Sequence, residues 1–166
     1  MPALIGIPIL ALAVIIQSSI LSQITLLQAS ADLVLVVVVS WIIHERVKAV
    51  WEWAVIAGIL VGFISELPML SYLIGYLAVA AIGIALKRRV WRAPLLALFT
   101  AVFIGTLTMQ VLIFILLRLS GTVIDPLQAF NLVILPSLLL NLLLALPVQG
   151  LINEVAAWFY PEEIDG

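Results

Sequence analysis

Asp32, Glu66, His44 with Glu45, Gln110 and Asn141 are the side chains with chemical potential in this sequence, and each stands in or beside a long apolar run. Asp32 directly precedes Leu33-Val-Leu-Val-Val-Val-Val39, where a carboxylate serves as a helix N-cap. Glu66 follows Gly58-Ile-Leu-Val-Gly62-Phe-Ile-Ser65. It is either a buried carboxylate pairing with another helix, a partner subunit or a ligand, or a helix-end acid exposed before Pro68. His44 is the only histidine and sits among charges, as a solvated loop residue does. With one histidine and no cysteine, a zinc site would need carboxylates, and none cluster at ligand spacing. No Gly-x-Ser-x-Gly elbow and no phosphate loop occur. The residues therefore point to no catalytic group, no cofactor, no metal and no enzyme. Asn141 lies between Pro136 and Pro147, two prolines expected to kink their helix. An amide there seeks a hydrogen bond across helices, and Gln110 is the expected partner. The alternative, a polar ligand pocket at the bend, would need more converging polar groups than the sequence offers.

These residues must be positioned by apolar helices. Of 166 residues, 66% are hydrophobic and 10% charged, and the mean hydropathy is +1.35. A soluble domain of that length could not coat itself with so few charges. Lipid is the matching solvent, and lipid permits helices or a closed barrel. The long unbroken runs exclude the short alternating strands of a barrel. The expected fold is an all-α integral membrane bundle of about six transmembrane helices, one domain over 1–166. The segments run from about Leu4 to Leu21, to Ile43 from a start between Ile24 and Leu33, and from Trp51 to Leu67. Three more follow, at Met69–Leu86, Leu95–Leu117 and Leu132–Ile152. The first is read as a retained helix, since no positive n-region precedes it.

The second segment is the awkward one. From Leu33 it is too short to span; from Ile24 it takes in Gln28, Ser30 and Asp32. Three placements follow: Asp32 lies within the membrane thickness, the helix runs on past His44, or a short, partly interfacial stretch precedes Asp32. The preferred placement puts Asp32 near the outer face.

Orientation follows from Lys and Arg. Arg46, Lys48, Lys87, Arg88, Arg89 and Arg92 fall in two loops on one side, and Arg118 falls on the other. That side is expected to be cytoplasmic, with both termini. Trp41, Trp51, Trp53 and Trp91 flank the basic loops as an aromatic belt would, and Trp158, Phe159 and Tyr160 could extend it. The acidic tail Glu162, Glu163 and Asp165 does not overturn the assignment. No basic stripe points to nucleic acid.

Gly58 and Gly62 form a Gly-x-x-x-Gly pair, and Gly75 and Gly83 lie on the next segment. Such residues let helices approach closely, either inside the bundle or against a partner's helix.

Taken in order, these residues resemble the rod shape-determining MreD family. The resemblance rests on Asp32-Leu33, on Gly62-Phe63-Ile-Ser-Glu66-Leu67, and on Gly75-Tyr76-Leu77 followed by Lys87-Arg-Arg89. Its longest stretch is Leu135-Pro136-Ser137-Leu-Leu-Leu-Asn141 through Ala145-Leu-Pro147-Val148. Glu66 stands where the family more usually has Asp, and Ala31 where a proline often precedes Asp32. The resemblance implies a non-enzymatic membrane scaffold of cell elongation and peptidoglycan synthesis, acting with MreC. It also implies links to RodA, a class B penicillin-binding protein and MreB. The family's fold resembles the substrate-binding subunits of energy-coupling factor transporters, so a vitamin-binding transporter subunit is the alternative.

Overall fold

The computed structural model describes residues 2–21, 29–45, 47–89 and 93–160, and their regular elements are helices. The expectations for Ile24 to Gln28, Arg46, Trp91, Arg92, Glu162, Glu163 and Asp165 lie outside the described residues. Helix α1 (Pro2–Ile16) continues into a π-helical turn, Gln17–Leu21. Then come α2 (Leu33–Ile43), α3 (Val50–Ile64), α4 (Met69–Arg89) and α5 (Pro94–Leu119). The last helix, α6 (Pro126–Phe159), is α-helical except for a π-helical turn at Phe130–Ile134.

Among the described residues, α4, α5 and α6 are long and apolar enough to cross a membrane, and α1, α2 and α3 are shorter. With 11 residues, α2 rises only about 16 Å, roughly half a hydrocarbon core. It compensates by position. Every residue of α2 is buried, and α1, α3, α4, α5 and α6 all pack against it.

The punctuation explains the helix ends. Pro94 opens α5, where a missing N–H costs nothing. Gly121 takes a positive φ of 90° just after α5, a conformation that glycine adopts without a Cβ clash. Asp125 accepts a hydrogen bond from the Gln128 N–H, and Pro126 starts α6. The sixth helix thus begins six residues before Leu132. Pro136 is accommodated by the turn before it, where the Leu135 N–H donates to the Phe130 carbonyl. The wider π turn makes room for a ring that would clash in a regular α-helix. Pro147 lies inside the same helix, on its exposed side.

Neighbouring helices run in opposite directions. A Cβ on Gly58 would lie 2.7 Å from the Leu73 Cα, and one on Gly62 would lie 2.9 Å from the Met69 Cα. That register makes α3 and α4 a tight antiparallel pair. Gly75 meets Met109 and Gly105 meets Val79, so α4 and α5 are antiparallel too. One end of the bundle gathers Lys48, Lys87 and Arg88 around a single cavity. Gly6 packs on Trp53 there, and the Tyr160 ring lies 6.4 Å from that of Trp41. The two ends of the described chain therefore share the basic end.

Candidate functional site

The buried polar groups converge where α2 begins. The backbone from Ala29 to Asp32 is not helical, and Ala29 and Ala31 are buried. Irregular backbone away from water needs partners for its N–H groups, and side chains from two other elements, with that of Asp32 itself, help to supply them. The Asp32 N–H donates to Asn141 Oδ1 at 2.7 Å. The Val34 N–H donates to Gln17 Oε1 at 3.1 Å, and the Leu35 N–H to Asp32 Oδ1 at 2.9 Å. The Tyr76 hydroxyl donates to the same carboxylate oxygen at 3.2 Å. Asn141 Nδ2 completes the set by donating to Thr106 Oγ1 at 2.9 Å.

Asp32 is therefore an N-cap, but not one at the outer face. Tyr76, Thr106 and Asn141, all buried within long helices, hold it inside the bundle. Here the backbone N–H groups at the helix start and the Tyr76 hydroxyl take the place of water.

Asn141 is fully buried, but its partner is not Gln110. Gln110 Nε2 donates to Ser137 Oγ at 3.1 Å instead. Each helix carries two polar residues four apart, Thr106 with Gln110 on α5 and Ser137 with Asn141 on α6. Antiparallel packing matches Thr106 to Asn141 and Gln110 to Ser137, one helical turn apart. That matching spacing was the available signal for Thr106 and Ser137. Tyr76 and Gln17 had no comparable signal.

The four candidate glycines face inward. Gly58 and Gly62 meet α4, Gly75 meets Met109 of α5, and Gly83 meets Ile42 of α2. They are taken up by packing inside the bundle and offer no smooth outer stripe to a partner. Glu66 is exposed on the bend between α3 and α4, so the buried-carboxylate reading does not apply. The aromatic belt is also revised. Trp41 and Trp53 are fully buried and stack with ring centroids 4.0 Å apart, an arrangement that aromatic pairs favour. Trp51 and Trp158 are exposed.

Chemically, this cluster holds a helix start in place. Among the described residues no group of three or more His, Asp or Glu could hold a metal ion. No family model, curated protein or solved structure matches the chain.

Proposed function

We propose that this chain is a multi-pass membrane scaffold of the MreD type. In this reading the bundle holds the membrane helix of MreC and helps to organise peptidoglycan synthesis during cell elongation, without chemistry of its own. RodA, a class B penicillin-binding protein and MreB are the further partners. The bundle lies in the bacterial inner membrane with six passes, its basic end and both termini cytoplasmic. The short α1, α2 and α3 complete their passes by packing against the three long helices.

One observation carries the reading: where the polarity goes. Asp32, Tyr76, Thr106 and Asn141 bond to one another inside the bundle, as Gln110 does to Ser137. Outside, α5 and α6 present Phe103, Ile115, Leu139, Leu143 and Leu151. A surface of that kind meets lipid or another apolar helix, and close van der Waals packing is what selects a helix partner in lipid. With the glycines occupied, the docking face consists of these larger side chains. The start of α2 could have received an anionic substrate, as broken helices in transporters do. Asp32 and Gln17 already occupy it, which favours the scaffold over the vitamin-binding subunit.

Purification in mild detergent followed by mass spectrometry of the partners tests this. The expected result is recovery of MreC with its single membrane helix. Tight binding of a vitamin by intact protein that never recovers MreC would replace the scaffold by the transporter subunit.

A further inference from the structure

The Gln110 amide is only half used. Its Nε2 donates to Ser137 Oγ, and among the described residues its side chain makes no other hydrogen bond. A primary amide has two N–H donors and an oxygen with two lone pairs, so one donor and the oxygen remain. Gln110 precedes Leu119, the last residue of α5, by nine positions, which sets it about 14 Å from that end. In the membrane reading above, this depth is near the middle of a hydrocarbon core of about 30 Å. A lipid tail can take up neither the spare donor nor the oxygen, and a polar group left without partners there is costly.

The same side chain lines a cavity between α5 and the start of α6. Gln110, Phe114 and Leu117 form one wall, along a single stripe of α5, and Leu132 and Val133 of the π-helical turn contribute to the other. Gln128, at the outer start of α6, is exposed at the rim. Pro136 has no N–H to give, so a carbonyl in the preceding turn goes without its helical donor, and π-helical turns recur at functional sites. Val111, Ile115 and Phe130 present apolar surface beside the cavity.

Size and chemistry choose the occupant. The cavity holds about 180 Å³, below the roughly 300 to 1,000 Å³ of small-molecule sites. A phospholipid headgroup could bond an amide, but it stays at the interface, about 14 Å away. An acyl chain reaches Gln110 and has nothing to bond it. A side chain on a helix lying alongside α5 and α6 reaches that depth, and a hydroxyl or amide at its tip supplies donor and acceptor together. Glutamine bonds across helices in membranes in this way.

We infer that this cavity receives a hydroxyl or amide side chain from a partner's membrane helix, with Gln110 as both donor and acceptor to it. This occupant rests on the scaffold reading above and gives that scaffold a hydrogen-bonded contact at mid-membrane.

The test co-expresses the full chain with MreC and measures the MreC recovered in mild detergent. Gln110→Leu should lower recovery about threefold to tenfold, the reach of one interhelical membrane hydrogen bond. Ser137→Ala removes only the internal bond of Gln110 and should keep recovery at the wild-type level. A photo-crosslinking phenylalanine analogue at Phe114, in the cavity wall, supplies a second measurement that leaves Gln110 in place. Irradiated cells should yield MreC joined through its membrane helix next to a Ser, Thr, Asn or Gln. The same analogue at Ile74, exposed on α4 and outside the cavity, should not. Capture at Phe114 of lipid alone, or of a second copy of this chain, would overturn the inference. So would unchanged recovery with Gln110→Leu beside a wild type that does recover MreC. A wild type that recovers no MreC would instead remove the scaffold reading, and this occupant with it.

Discussion

Helices α2 and α6 are both strongly apolar, yet they do opposite things. α2 is buried on every side, through its run of valines and both of its isoleucines. α6 buries one stripe and turns Leu139, Leu143, Leu146 and Leu151 outward. The difference lies in how each helix begins. α6 begins on an exposed loop with Asp125 and Pro126. α2 begins inside the bundle after irregular backbone, so protein must surround that start to satisfy it. Apolarity records avoidance of water; it does not separate a helix that meets protein from one that meets lipid.

The sharpest way to break this comparison is to add bulk to each helix. Val38 is fully buried, while Leu143 is 74% exposed. Val38→Trp should destabilise the bundle by about 3 kcal/mol or more, because overpacking a filled core displaces whole helices. Leu143→Trp should stay within about 0.5 kcal/mol. Thermal unfolding in mild detergent measures both, and equal losses would erase the distinction.

The polar start of α2 gives the next effect. Asn141→Leu leaves the Asp32 N–H without its acceptor and Thr106 without its donor. A loss of about 2 kcal/mol is expected, the cost of a stranded buried group. Thr106→Val removes only the second bond and should cost about 0.6 kcal/mol, the usual size for an interhelical membrane hydrogen bond. If the two variants lost equally, the bond to the backbone would not be what secures α2.

Between these two falls the α3–α4 seam. Gly58→Ala places a Cβ 2.7 Å from the Leu73 Cα, which is backbone and cannot rotate away. About 1 to 2 kcal/mol should be lost. Gly150→Ala on α6 meets nothing within 4 Å, so its better helix propensity should stabilise by up to about 1 kcal/mol. Urea or heat titration of the pair compares a seam with an open face, and a stable Gly58→Ala protein would mean a looser seam.

Much of the fold was legible because punctuation residues act locally. Pro94, Asp125-Pro126 and Glu66-Leu-Pro68 mark helix ends through φ restriction and capping, which need no tertiary context. Asp32 was legible as an N-cap for the same reason. Its depth was not, because burial of an acid depends on partners 44 and 109 residues away. The same limit applied to Trp41 and Trp53. Their positions beside basic loops fit an interface, and only the crossing of α2 and α3 stacks them in the core. For the amide partners, composition named the right two helices, and the register of an antiparallel pair moved Gln110 by one turn.

A bundle that lies in a membrane with Lys48, Lys87 and Arg88 on the cytoplasmic side can be tested directly, since the chain has no cysteine of its own. Single cysteines at Lys48, Arg89 and Thr122 would be exposed to an impermeant thiol reagent in intact cells. The Thr122 site, on the loop after α5, should be labelled. The Lys48 and Arg89 sites should react only after the membrane is opened. Labelling of Arg89→Cys from outside, with Thr122→Cys shielded, would contradict the orientation; equal labelling of all three without opening the membrane would contradict the embedding.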